Sequence, residues 1–304
     1  MKLLLIADDF TGALDTGVQF VNAGARAEVF LTDKVDFAAY PDTEVFIVDT
    51  ETRHLRPEAA YGAVFNLVKR AMGAGVETFY KKTDSGLRGN VGAEIEALSD
   101  ALGRPVVFAP AYPAMGRTVK DGVSYVDGVP VNESVFGRDP FDPVRVSRVR
   151  DLFRPQFDGV RILDAETDEE LDKIAEKLVN NEAGKAVAGC AGLASFYVKY
   201  CKFEQRAETE IMLNPPVLAV CGSISSVSKA QVEDAAARGF YTAPLGEAEE
   251  SAVKALREKK ACILENFTES GRLQEKAADG GKEAMARMRE EILARFAERT
   301  ASLV

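Results

Sequence analysis

Short apolar runs that alternate with helix-periodic segments predict an α/β protein of two domains. Each domain is expected to be a mainly parallel sheet flanked by helices, the first carrying a β-hairpin arm. Two further observations support this reading. Charged residues gather at the carboxyl ends of four successive predicted strands, and periodicity lapses around residues 208–216, where two prolines end the segment. The expected domains are therefore residues 1–213 and 214–304.

A chain of 304 residues is long enough for two such cores. Its 38 basic and 48 acidic residues give a net charge of −10, with no basic run or aromatic-interleaved basic face, which argues against nucleic acid as a partner. The opening apolar run stops at Asp8-Asp9, short of the ~7–15 residues of a signal-peptide core. No stretch approaches the ~20 apolar residues of a membrane span. The expectation is a cytoplasmic protein with no membrane partner. Cys190, Cys201, Cys221 and Cys262 show no C-x-x-C spacing and His54 is the single histidine, so reduced thiols are expected, with neither a metal site nor a disulfide framework.

In chain order, residues 3–7 read as a buried strand ending in Asp8-Asp9. A helix follows with Ala13, Leu14, Val18, Val21 and Ala25 on its apolar face. One of the two acids could simply cap that helix, but a single cap does not account for both. Residues 27–31 and 44–48 are the next strands, the second delivering Asp49, Glu51, Arg53 and His54 to a turn before a helix that begins near Pro57. Residues 76–80 form a strand that feeds the polar loop 80–90, and Ile95, Leu98 and Leu102 mark the helix after it. That loop carries Lys81, Lys82, Asp84, Ser85 and Arg88. A fourth strand, 105–109, runs into a proline- and glycine-punctuated loop ending at Arg117. Residues 121–131 form a hairpin around Asp127-Gly128. Strands at 160–163 and 185–188 flank a helix at 168–179, and small residues at 189–193 open a further helix for packing reasons.

The second domain begins with a buried strand at 217–221 and a Gly222-Ser-Ile-Ser-Ser turn before a helix bearing Val232, Ala235 and Ala236. Such a turn can either cradle phosphate or only cap its helix. Neither a dinucleotide fingerprint nor a Walker A sequence occurs. A strand at 261–264 and a charged amphipathic helix at 281–303 complete the chain. In open α/β sheets ligands bind beyond the carboxyl ends of the strands. The charge there fits an anionic small molecule held by Arg53, Lys82, Arg88 and Arg117. Asp8, Asp9 and Asp84 remain for hydroxyls, a metal ion or a proton in transfer.

Six ordered blocks in the first domain resemble the four-carbon acid sugar kinases. They are Ile6-Ala-Asp-Asp-Phe-Thr-Gly-Ala13; Asp49-Thr-Glu-Thr-Arg53; Lys81-Lys-Thr-Asp-Ser85 with Leu87-Arg-Gly-Asn90; Pro110-Ala-Tyr-Pro-Ala-Met-Gly-Arg117; Tyr125-Val-Asp-Gly-Val-Pro130; and Ala191-Gly-Leu193. Cys221-Gly-Ser-Ile-Ser225 is similar to the opening of that family's nucleotide-binding domain. The resemblance implies an ATP- and Mg²⁺-dependent kinase that phosphorylates threonate, erythronate or an oxo-tetronate on a terminal hydroxyl. It implies a substrate carboxylate near Arg53, Lys82 or Arg88, with Asp8 and Ser85 beside them. Asp84 or Asp9 would accept the hydroxyl proton, and Ser223 and Ser225 would lie on the nucleotide side. A homodimer is one assembly left open.

Three departures stand out. Gly86 replaces a family Thr or Ser, Val123-Ser124 and Asn132 stand where histidines are common, and the later glycine-rich nucleotide blocks do not occur within residues 1–304. A shortened nucleotide-binding domain is therefore expected. The alternative function is a non-catalytic sugar-acid-binding protein of the same fold. An aspartyl-phosphate phosphatase ranks last, because Asp8-Asp9-Phe-Thr-Gly12 lacks the D-x-D spacing.

Overall fold

In the computed structural model the described residues are 2–139, 141–203, 216–223, 226–244, 249–258 and 260–265. They divide into two compact units, Met1–Glu208 and Thr209–Val304. The linker expected at 208–216 falls almost wholly outside the described residues, as do Ser225 and the helix expected at 281–303.

The first unit runs β1 (Leu3–Ala7), α1 (Phe10–Asn22), β2 (Ala27–Phe30), β3 (Val45–Asp49), α2 (Pro57–Gly73), β4 (Thr78–Lys82), α3 (Val91–Leu102) and β5 (Val106–Ala109). It continues through β6 (Arg117–Lys120), β7 (Val123–Val126), β8 (Val129–Pro130), β9 (Val160–Ile162), α4 (Asp168–Val179), β10 (Ala186–Gly189) and α5 (Ala191–Tyr200). Seven strands form one sheet in the order β2-β3-β1-β4-β10-β5-β9, every pairing parallel. Strands covered on both faces need continuous apolar runs, and Leu3–Ala7 and Val45–Asp49 are buried throughout. Helices α2 and α3 pack together, while α1 and α4 both pack on α5.

Helix α1 buries a different stripe from the one expected. Gly12, Ala13, Thr16, Gly17 and Phe20 face inward, whereas Leu14, Val18 and Val21 are 44–50% exposed, and Ala25 lies beyond the helix end. The reason is close approach: a Cβ on Gly17 would stand 2.6 Å from Ile47 Cδ1, so only small residues let the helix lie so near β3. Strand β4 also extends two residues past its expected end, which takes Lys81 and Lys82 out of the loop and into the buried sheet.

Helix α4 starts with a complete capping box, in which Thr167 and Glu170 bond each other's backbone N–H groups. The antiparallel sheet β6-β7-β8 has the expected turn at Asp127-Gly128 and an earlier one at Asp121-Gly122. All four turn residues have positive φ, the type I′ signature. At the start of α5 the small residues do serve packing, since a Cβ on Gly192 would meet the Tyr112 ring at 2.7 Å.

The second unit contains β11 (Val217–Cys221), α6 (Ser226–Ala237), β12 (Tyr241–Pro244), α7 (Glu249–Arg257) and β13 (Ala261–Glu265). Its sheet is parallel in the order β11-β13-β12, over a small core of Ala243, Ala252, Cys262 and Leu264. All four cysteines are free thiols, two buried and two half-buried. Among the described residues no helix is long and apolar enough to cross a membrane.

Candidate functional site

Strands β3, β1 and β4 end side by side, and the chain's progress through the sheet reverses at β1, with β3 on one side and β4 on the other. A crevice opens at such a switch point. Just past β1, Asp9 caps α1 with Oδ1, which accepts from the Gly12 N–H at 2.9 Å. Its other oxygen meets Arg53 Nη1 at 2.7 Å. Asp8 is buried, and its Oδ2 accepts from Arg53 Nε at 2.7 Å, while Oδ1 has no hydrogen-bond partner.

The loop after β3 is tied to β1 by its backbone and hydroxyls. Thr50 Oγ1 donates to the Ala7 carbonyl at 2.7 Å, and Arg53 N–H donates to the Asp8 carbonyl at 3.2 Å. Arg53 thus arrives between the two aspartates, its Nη2 3.9 Å from Asp84 Oδ1. Burial alone would lower the Arg53 pKa, but the bond to Asp8 and the charges of Asp8, Asp84 and Asp9 outweigh it and hold the guanidinium above its ordinary value.

After β4, Asp84 accepts two parallel bonds from Arg88, Nε and Nη2, both at 2.9 Å. It also accepts from the backbone N–H groups of Gly86 and Arg88 at 3.1 and 3.2 Å. Burial pushes its carboxyl up, yet the Arg88 fork and the Arg53 charge prevail and keep it below the usual carboxylate range. Leu87 takes a left-handed φ of 64° inside this turn, with its side chain buried. Asn90 then ties the loop to its neighbour by donating to the Thr52 and Leu55 carbonyls at 2.9 Å.

The structure brings Asp8, Asp9, Arg53, Asp84 and Arg88 together. It also shows that Arg88 offers no open fork, because its Nη1 is taken by Asp139 at 3.0 Å. Lys82 differs. It is 4% exposed, its ammonium has Asp15 Oδ1 at 3.8 Å, and among the described residues it makes no hydrogen bond. Beside it the Thr83 hydroxyl is buried without a partner, and Ser85 is half-buried. Lys81 faces the other way. It is fully buried, 3.0 Å from Glu94 Oε2, and donates to the Ile6 and Lys82 carbonyls. Glu94 also accepts from Thr52 Oγ1, and Thr52 shares a 2.8 Å bond with Thr50. This buried layer pins α3, β4, β1 and the loop after β3 to one another.

Asp139 and Phe136 are site residues that sequence reasoning missed. The Phe136 ring centroid lies 5.2 and 5.5 Å from the guanidinium carbons of Arg88 and Arg117, and the ring covers Gly86 so closely that a Cβ there would come within 2.4 Å of it. Their signal was the Phe136–Asp142 stretch, rich in aromatic, Arg and Asp residues. Glu94 was also missed, although it lies on the same helical face as Val91, Ile95 and Leu98, where an acid calls for a partner. His54 Nδ1 and Asp142 Oδ2 are 2.6 Å apart. Asp49, at the end of β3, is pushed up to about 6, first by burial and then by the proximity of Glu51.

In the second unit Ser223 is exposed, and its Oγ accepts from Ser228 Oγ at 2.8 Å. The space a Gly222 Cβ would occupy is open to at least 4 Å. Among the described residues no three His, Cys, Asp or Glu side chains converge to hold a metal ion. A cavity of about 900 Å³ lies at the opposite, amino-end edge of the sheet, near Ser99, Arg104, Arg154 and Phe157. None of the sequence's candidate residues lines it.

D-threonate kinase of Salmonella typhimurium is 33% identical over 273 residues, covering 79% of this chain and 62% of that enzyme. D-erythronate kinase of Heliobacterium modesticaldum is 34% identical over 158 residues, covering 51% and 36% respectively. The chain thus spans less than two thirds of the length of the curated relatives it matches. A domain of unknown function from Bordetella bronchiseptica, solved with bound citrate as a domain-swapped dimer, superposes with a TM-score of 0.61 at 27% identity, over 88% of this chain and 74% of that one. Residues 3–161, just over half of the chain, match the family model described as the sugar-binding N-terminal domain. The chain belongs to this family, whose relatives include kinases of four-carbon sugar acids.

Proposed function

We propose that the chain is an ATP-dependent kinase, and that it phosphorylates a terminal hydroxyl of threonate, erythronate or an oxo-tetronate. The observation that carries this reading is the lattice of Asp8, Asp9, Arg53, Asp84 and Arg88 at the switch point. It is rigid, charged, and lined by an acceptor and a hydroxyl, Asp8 Oδ1 and Thr83 Oγ1, that lack protein partners. Buried polar atoms are nearly always paired, so a ligand's hydroxyl groups are the natural complement. The citrate in the solved relative is itself a hydroxylated carboxylate.

Of the two candidate bases, Asp9 suits the role better. Asp84 already accepts four hydrogen bonds and is held below the usual carboxylate range, which makes it a poor proton acceptor. Asp9 is half-buried and accepts one bond on each oxygen. It would take the proton of the substrate hydroxyl as that oxygen attacks the γ-phosphorus and the bond to ADP breaks. Arg53 and Arg88 would orient the aspartates, with Ser85 at the rim. ATP would supply the phosphoryl group, its phosphates held by Gly222, Ser223 and Ser225. Mg²⁺ finds no protein ligand set among the described residues, and no step is assigned to it. We also propose a cytoplasmic location and self-association as a homodimer, the latter supported by the domain-swapped relative.

The test is thermal shift against D-threonate, D-erythronate and an oxo-tetronate, each with and without Mg-ATP, followed by an ADP-release assay. Stabilisation by an acid together with ADP release supports the kinase. Stabilisation by an acid with no response to Mg-ATP favours a non-catalytic binder, and no response to any acid defeats both readings.

A further inference from the structure

We infer that Lys82 receives the carboxylate of the sugar acid, and that Arg88 is a positioning residue that never meets it. This deepens the kinase reading above and rests on it. Each arginine is hydrogen-bonded to two carboxylates. Arg53 donates from Nε to Asp8 and from Nη1 to Asp9, its Nη2 lying 3.9 Å from Asp84 and beyond hydrogen-bond reach, while Arg88 donates from Nε and Nη2 to Asp84 and from Nη1 to Asp139. For Arg88 to bind a substrate carboxylate, an aspartate would have to lose its partner, and stripping one member from a buried pair is costly.

Lys82 is in the opposite condition. Its side chain is 5% exposed, and its nearest carboxylate oxygen, Asp15 Oδ1 at 3.8 Å, lies beyond hydrogen-bond reach. An ammonium so enclosed with no hydrogen bond leaves three donors unmatched.

A Cβ on Gly12 would stand 2.7 Å from Lys82 Nζ and 2.5 Å from Asp9 Oδ1, so only a glycine lets the ammonium and this carboxylate oxygen lie against the first turn of α1. Thr83, the next residue along, adds the partnerless hydroxyl already noted. The unit that holds this cluster is the sugar-binding one, so the anion that reaches it with the sugar is the sugar's own carboxylate.

The experiment is isothermal titration of wild type, Lys82→Gln and Gly12→Ala. The probes are D-threonate and D-erythronate, and also threitol and erythritol, which keep the hydroxyls but lack the carboxylate. Wild type should prefer acid to alcohol by at least tenfold. Lys82→Gln should lose that preference, with its acid Kd raised at least tenfold and its alcohol Kd changed less than threefold. Gly12→Ala adds a methyl group over the ammonium and should also erode the preference, which provides the readout if Lys82→Gln does not unfold cooperatively. A folded Lys82→Gln whose acid Kd stays within twofold of wild type would overturn the inference while leaving the kinase reading intact. A wild type that binds neither acid would overturn that reading, and the inference with it.

Discussion

Lys81 and Lys82 are adjacent in sequence and opposite in circumstance. One faces α3, fully enclosed, 3.0 Å from a buried glutamate and bonded to two carbonyls. The other faces α1, nearly as enclosed, with no hydrogen bond among the described residues. Strand alternation alone sends them to different faces. Burial is common to both lysines; what differs is the number of partners each ammonium has among the described residues.

The largest effect should come from breaking the paired side. Lys81→Met strands Glu94 as an unpaired buried carboxylate and should cost about 3–5 kcal/mol of stability in urea unfolding. Replacing Glu94 by Leu as well should recover most of that loss. If the single variant cost under about 1 kcal/mol, the buried layer would not be what pins the strand ends together.

Next comes Asp84→Asn, which removes the charge that both arginines answer and should cost about 2–3 kcal/mol by calorimetry. Its pH dependence has a definite sign. Because the folded Asp84 carboxyl titrates below its unfolded value, its stabilisation is present above the ordinary carboxylate range and disappears as pH falls through the depressed value. The variant should therefore show a shallower acid limb than wild type.

A smaller effect tests how tightly the missed aromatic covers the loop. Gly86→Ser forces a Cβ against the Phe136 ring and should cost about 1–2 kcal/mol, relieved when Phe136→Ala is added. A Gly86→Ser protein as stable as wild type would mean that the ring swings aside freely.

The smallest is Asp49→Asn. The folded carboxyl, pushed up to about 6 from 3.8, contributes stability that is complete below pH 3.8 and lost as pH rises through about 6. The variant should therefore gain on wild type by about 1 kcal/mol between pH 4 and 7, allowing for partial solvation. Paired urea titrations at the two pH values would check it.

Much of the first unit was legible because parallel strands buried on both faces leave an unmistakable mark. Residues 3–7 and 44–48 read as strands from their apolar runs, and the structure has them at Leu3–Ala7 and Val45–Asp49. The α4 boundaries were equally plain, since the capping box is local chemistry. The inward face of α1 was not legible, because its packing rests on the absence of side chains at Gly12 and Gly17, and periodicity counts only side chains that are present. The contributions of Phe136 and Asp139 escaped for another reason. They reach Gly86 and Arg88 from about fifty residues away, through a segment with no regular period to place it. The strand-end clustering of Asp8, Arg53 and Asp84 was visible, but their mutual cancellation was not, because charge in a sequence carries no distances.

The position of β10 bears on how the chain acquires its shape. It lies between β4 and β5 near the middle of the sheet, yet it is the last of the seven strands to be synthesised. Until residue 189 leaves the ribosome, β4 and β5 each present a bare hydrogen-bonding edge, and Thr83 lacks the Gly189 carbonyl that its N–H will meet at 2.9 Å. Closing that gap joins residues roughly a hundred positions apart, an ordering cost that slows folding. A nascent chain stalled at α4 therefore carries both apolar strand borders exposed, and such a species is the one a chaperone would be expected to hold.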